Sequence, residues 1–200
     1  MDTSDAREMY FSADAEADGP VPGPYSMLSF GLAVAGTYDG ETFAPRDPGR
    51  DTFYAGLRPI SDRVDQAALA VSGLDRGRLA REGQEPRQAM NAAAGWIRRV
   101  AADAVPVFAG YPACYDWMWL HWYFVQFADG GSPFGHSRCL DLKTFYAARF
   151  RAPIVRSTKK HMPPQLLADR PHTHHALDDA IEQAELCQNL FRHNQAYSRP

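Results

Sequence analysis

Over its first 60 residues the chain alternates between short apolar runs and turn-rich breaks; after that it changes to helical spacing. Residues 9–15 read as a first strand, closed by the Gly/Pro-rich loop Gly19-Pro20-Val21-Pro22-Gly23-Pro24. The near-continuous apolar run at 26–36 predicts a central strand. Residues 38–51 are turn-rich, and 52–57 suit a third strand, so two hairpin-like links between three strands are expected. Beyond residue 60, Val64, Ala67, Ala68 and Val71 recur at the spacing of one helix face across 62–71. A polar, Gly-containing linker is expected at 75–85, then a helix over 88–102 with Met90, Ala94, Ile97 and Val100 or Ala101 inward. Residues 105–110 predict a short buried strand and 116–127 an aromatic-rich helix. Residues 139–142 predict a last strand, leading into a helix around 143–148. The final helix spans 175–191, with Leu177, Ile181, Ala184, Leu186, Leu190 and Phe191 on its apolar side.

Strands first, then helices alternating with strands, imply an α/β fold: a mixed sheet with helices on its faces. There is no internal repeat. The expected organisation is one domain over 9–192 between flexible ends at 1–8 and 193–200. The chain has 200 residues, enough for one such domain with a real core. No apolar run approaches the roughly 20 residues needed to span a bilayer, so no membrane partner is expected. The acidic start Met1-Asp2-Thr3-Ser4-Asp5 is unlike a secretory signal. Cys114, Cys139 and Cys187 are few and far apart, which suits a reducing cytoplasm.

Three stretches carry candidate chemistry. In the first, Asp14 and Glu16 alternate along the predicted strand and point to one face. Their Cα atoms would lie roughly 6.6 Å apart, two strand rises. Such a pair can converge on hard cations, or it can be the solvated face of an edge strand. In the second, Asp116 sits where the aromatic helix begins. It could be a first-turn residue favoured by the helix dipole, or an acid delivered beside Asp14. Trp119, Tyr123 and Phe127 share its face, as core or as rings for base stacking. The third is His172-Thr173-His174-His175-Ala176-Leu177-Asp178-Asp179. On one continuous helix His174 and Asp179 would diverge by about 140°. They meet if His174 lies on the loop ahead of the helix, where a neutral imidazole could take a proton from water. The histidines could instead form a zinc cluster, and Asp178 and Asp179 could simply favour the helix N-terminus.

The net charge is −3, which at first argues against a nucleic-acid partner. If four of the 24 acids belong to a metal site, 20 remain against 21 Lys plus Arg, and the surface is near neutral. Residues 142–168 contain one acid-free basic stretch from Lys143 onward. Arg156, Lys159 and Lys160 within it are candidate phosphate contacts, or a solvated basic surface.

Taken in order, these stretches resemble the DEDDh 3′–5′ exonuclease family, which includes ribonuclease T, oligoribonuclease and polymerase proofreading subunits. The family pattern is Asp-x-Glu on the first strand, an Asp at the start of a mid-chain helix, and His, four residues, Asp near the C-terminus. Here these fall on Asp14 and Glu16, Asp116, and His174 and Asp179. His174-His175-Ala176-Leu177-Asp178-Asp179-Ala180 is similar to the family's last motif, with its His-x-Ala-Leu-x-Asp-Ala core. Two departures stand out. Asp14-Ala15-Glu16-Ala17-Asp18-Gly19 replaces the usual Asp-Thr-Glu-Thr-Thr-Gly, and Tyr115 replaces the usual Phe before the middle Asp. The resemblance implies a ribonuclease H-like mixed sheet and two divalent cations, Mg²⁺ or Mn²⁺, held by Asp14, Glu16, Asp116 and Asp179. It also implies His174 as general base and release of nucleoside 5′-monophosphates from the 3′ end of RNA or single-stranded DNA. A homodimer is a further expectation of the resemblance. A catalytically idle binding module of the same fold, or a hydrolase of small nucleotides, are the alternatives.

Overall fold

The computed structural model describes residues 7–197. Of the expected flexible ends, 1–6 and 198–200 lie outside the described residues, whereas Glu8 opens the first strand and 193–197 continue the last helix, Ala176–Tyr197. At its centre, β1 (Glu8–Ala17) and β2 (Met27–Tyr38) pair antiparallel along almost their whole length. β3 (Phe43–Pro45) and β4 (Thr52–Gly56) both lie along the far edge of β2. On the other side, β5 (Val105–Gly110) and β6 (Cys139–Asp141) add in parallel, giving the order β3-β2-β1-β5-β6. β1 begins at Glu8 rather than Met9 because Glu8 already pairs with Tyr38 and Val105. β3 lies inside the stretch read as turns; three residues are too few to show a period.

Alternation along β1 divides two cores. Met9, Phe11, Ala13, Ala15 and Ala17 face α3 (Pro86–Ala101) and α4 (Ala113–Phe127). Tyr10 points the other way, to α5 (Leu142–Phe150) and α6 (Ala176–Tyr197). α3 turns Met90, Ala94, Ile97 and Ala101 inward, all essentially unexposed. Trp119, Tyr123 and Phe124 of α4 are fully buried, and Tyr123 Oη accepts the Met27 N–H at 2.8 Å. These rings are core, which removes Trp119 and Tyr123 as base-stacking surfaces. Among the described residues no helix is long and apolar enough to cross a membrane.

Two short helices depart from the sequence pattern. α1 (Gln66–Ser72) buries none of its residues, and Val71 is 58% exposed. Its apolar stripe lies along an open cleft and not in the core, and the helix is held at its start. The Asp65 side chain accepts from Ala67 N at 2.9 Å, and Asp65 N donates to Asp18 O at 2.8 Å. α2 (Arg76–Glu82) occupies the expected linker. It has no apolar face to betray it; Asp75 caps it by accepting from Arg78 N at 2.8 Å, and Arg76 pairs with buried Asp18 at 2.7 Å.

The register places Gly31 of β2 directly opposite Asp14 of β1. A Cβ at Gly31 would overlap backbone atoms of Ala176 and Leu177, so α6 rests directly on β2 at this point. Backbone cannot step aside as a flexible side chain can. Gly31→Ala is therefore expected to destabilise the fold by about 1–3 kcal/mol, lowering the melting temperature by about 3–10 °C. A melting curve superposable on that of the unmodified protein would show that α6 is not seated on Gly31.

Candidate active site

The C-terminal end of β1 is where three separate parts of the chain converge. Asp14 and Glu16 occupy alternate positions on β1 and turn toward α6. Asp14 is buried, and its Oδ1 accepts from Gln183 Nε2 of α6 at 2.8 Å. Gln183 lies one turn beyond Asp179, so both project from the same face of α6. Asp179 is fully buried. One oxygen each from Asp14, Glu16 and Asp179 lie within 4.8 Å of one another.

Asp116 approaches from the opposite side. β5 leads through Tyr111 and Pro112 into the first turn of α4, which carries Asp116. Its Oδ1 accepts the Ala15 N–H at 3.1 Å, so this acid is tied to β1 between Asp14 and Glu16 and does not cap its own helix. The start of α4 is capped from outside: Asp141 Oδ2 accepts from Ala113 N at 2.7 Å, while Asp141 Oδ1 accepts from Thr144 N at 2.6 Å to cap α5.

His174 lies ahead of α6 with φ +58°, in the left-handed region, so it is not part of that helix. The nitrogens of His172 and His174 and an Asp179 oxygen fall within 4.8 Å of one another. His172 Nδ1 is 3.1 Å from Asp179 Oδ1, which also accepts the Thr173 N–H at 2.8 Å. Asp14, Glu16, Asp116, Tyr115, His172 and His174 all border one cleft of about 480 Å³, with Ala68 and Val71 of α1 on its far wall.

The electrostatics of this cluster are unfavourable by themselves. Burial, reinforced by Asp179, pushes the Asp14 carboxyl up to about 7, although Lys159 and the Gln183 hydrogen bond pull it back. Burial and the charges of Asp14 and Asp179 push Glu16 up to about 8. Asp116 is raised well above the usual carboxylate range, first by burial and then by Asp14. Asp179 Oδ2 is buried with no partner. An orphaned carboxylate oxygen among mutually repelling acids is the donor set a hard divalent cation satisfies: oxygen ligands, negative charge and a buried acceptor left free. Asp14, Glu16, Asp116 and Asp179 thus fit a divalent metal site.

The basic stretch is split. Arg156 and Lys160 are exposed, and no ion pair among the described residues involves either. Lys159 is half-buried and pairs with buried Glu182 of α6, with its ammonium 5.2 Å from the centre of the Tyr111 ring. Tyr111 Oη donates to Ser157 O at 2.5 Å, which fixes the whole turn beside the cleft. Gln183, Glu182 and His172 were not singled out from sequence as partners of the acids. Gln183 was discoverable at i+4 from Asp179, whereas the Lys159–Glu182 pair had no local signal.

No protein-family model matches the chain. It is 37% identical over 185 residues to the 3′-5′ DNA exonuclease Cap18 of Escherichia coli, covering 90% of each chain. Its fold is similar to the nuclease domain of 3′hExo, a DEDDh family member solved bound to rAMP. The TM-score is 0.66 at 13% identity, over 96% of this chain and 95% of that one. It is also similar in fold to E. coli Exonuclease I in complex with a dA16 oligonucleotide, with TM-score 0.59 and 14% identity. That match covers 96% of this chain but 44% of the Exonuclease I chain.

The raised carboxyls fix a sign. Asp14 and Glu16 hold protons more tightly folded than unfolded, where carboxyls titrate near about 4. Between about pH 4 and pH 8 the folded state therefore carries the extra protons, and stability falls as pH rises through that window. In chelator the melting temperature is expected to drop across this range, and Asp14→Asn to flatten the drop and melt higher than the parent at the alkaline end. Parallel pH profiles for the two proteins would contradict the assigned repulsion.

Proposed function

Because the chain belongs to the DEDDh 3′–5′ exonuclease family, we propose that it hydrolyses the last phosphodiester at the 3′ end of single-stranded nucleic acid, releasing nucleoside 5′-monophosphates. Its α/β architecture is the ribonuclease H-like one, a mixed sheet flanked by helices. The observation that carries the proposal is the cluster of Asp14, Glu16 and Asp179 oxygens, with an unpaired buried oxygen on Asp179, and the placement of Asp116 and His174 on the same cleft as Asp14 and Glu16. The E. coli relative Cap18 is a DNA exonuclease, which supports DNA over RNA as substrate.

In this reading Asp14 faces both halves of the site, with Glu16 and Asp179 on one side and Asp116 on the other. Asp116 would act through water, since its Oδ1 is already engaged by Ala15. Mg²⁺ or Mn²⁺, as a pair, would supply charge neutralisation for the phosphate and a water of lowered pKa. His174, held off the helix by its left-handed backbone, would accept the proton of the attacking water. Gln183 orients Asp14, and Lys159, buttressed by Glu182, adds positive charge beside it. Arg156 and Lys160 would meet phosphates further along the strand. We take residues 9–192 as a single catalytic unit. A cytoplasmic setting is supported by three sparse thiols, Cys114, Cys139 and Cys187, none in a disulfide. A homodimer belongs to the same proposal on the strength of the family resemblance, and sedimentation reads it.

Digestion of 3′-labelled single-stranded DNA and RNA is expected to need Mg²⁺ or Mn²⁺ and to stop in chelator. Asp14→Asn should lower turnover by about 10³-fold or more while circular dichroism stays unchanged. Full turnover in that variant would sink the assignment.

Neutralising Arg156 and Lys160 together should weaken substrate binding and reduce its log–log salt slope by about 1.4, two single-strand phosphate contacts. Lys159 is left in place so that Glu182 keeps its partner. A slope equal to the parent's would remove these side chains from the substrate path.

A further inference from the structure

His172 has no part in the hydrolysis above, yet it is in direct contact with the site. Its Nδ1 lies 3.1 Å from Asp179 Oδ1, and its ring centroid is 4.5 Å from that of His174, with the planes at 76°. One nitrogen from each imidazole and one Asp179 oxygen fall within 4.8 Å of one another. This donor set differs in kind from the oxygen-only group of Asp14, Glu16 and Asp179. Two imidazoles and a carboxylate are ligands that zinc accepts, with a fourth position left for water. In a tetrahedral zinc shell neighbouring ligand atoms are about 3.4 Å apart. The His172–Asp179 pair, now 3.1 Å apart, is close to that edge before any ion arrives. Both histidines are exposed, so an ion can enter from solvent.

We propose that His172, His174 and Asp179 form a second metal site, selective for nitrogen-preferring divalent ions of the zinc class, whose occupation switches hydrolysis off. The two sites share Asp179 but select differently. Mg²⁺ and Mn²⁺ favour the carboxylates, while zinc stands well above Mn²⁺ in affinity for imidazole. An ion held here would ligate one His174 nitrogen, which weakens that ring as a proton acceptor, and would fix Asp179 on its histidine side. The switching half of the proposal rests on the exonuclease reading; the binding half does not.

Equilibrium dialysis against zinc in excess Mg²⁺ tests the binding half directly. The parent protein should retain zinc. His172→Asn should bind it about 100-fold more weakly, and Glu16→Gln should bind it like the parent. Equal affinity in His172→Asn, loss on Glu16→Gln, or no zinc retained by the parent would each overturn the site. For the switch, digestion is followed against zinc, each protein normalised to its own zinc-free rate. The half-inhibitory zinc concentration should rise about 100-fold in His172→Asn. Zinc retained without inhibition of the parent overturns the switch. Should the chain digest no 3′ end at all, dialysis still reads the site, so failure of the exonuclease reading remains distinguishable.

Discussion

The contact between α6 and β2 at Gly31 sets the geometry of everything around it. Gly31 is the register partner of Asp14, and the first-turn backbone of α6 occupies the space a side chain there would fill. With the helix seated that close, Asp179 on its first turn and Gln183 on its second both reach the Asp14 carboxylate. The same seating aims the N-terminal end of α6 at the acids, where the helix dipole favours negative charge. A larger residue at Gly31 would separate acids that belong to opposite ends of the chain. One missing Cβ therefore controls whether they form a site at all.

Holding four carboxylates together costs stability, and the fold offsets part of the cost with donors to three of them. Gln183 serves Asp14, the Ala15 N–H serves Asp116, and the Thr173 N–H serves Asp179. Lys159 adds a positive charge, itself fixed by Glu182. These donors leave Asp179 Oδ2 without a partner. The incompleteness is itself informative: three donors hold the carboxylates in place while leaving the centre of the cluster for a cation. The upward shifts at Asp14 and Glu16 are the residue of that incomplete compensation.

Elements with a strong period were legible in the sequence. The apolar run of β2, the inward faces of α3 and α6, and the alternation of Asp14 and Glu16 all follow from side-chain direction alone. Motif order brought Asp116, His174 and Asp179 to attention, but no spacing could bring them to the end of β1 that carries Asp14 and Glu16. That takes the crossover through β5 and the docking of α6. α2 was illegible for a physical reason: none of its residues is buried, so it carries no stripe and depends on a cap and an ion pair. α1 misled in the opposite direction, because Ala68 and Val71 keep a helical spacing while facing the cleft and not the core. Trp119 and Tyr123 could be read as core or as stacking rings, and burial decides for core.

Asp18, one of the departures from the family's first motif, has its own structural logic. Where the resemblance leads one to expect Thr, the chain places a fully buried acid with both carboxylate oxygens engaged. Oδ1 accepts the Ser26 N–H at 2.6 Å, closing the loop after β1, and Oδ2 accepts from Arg76 Nε at 2.7 Å. Its carbonyl accepts the Asp65 N–H at the start of α1. Arg76 continues to the carbonyl of Ser61. A buried charge satisfied in this way is a rigid anchor, whereas one left unpaired would be strongly destabilising. Through these bonds Asp18 ties the otherwise weakly packed segment carrying α1 and α2 to the strand that bears Asp14 and Glu16. Ala68 and Val71, on that segment, form the wall facing the acids. The substitution thus exchanges hydroxyls in the motif loop for a fastening of the opposite wall, and the width of the cleft is set from the strand that carries the acids.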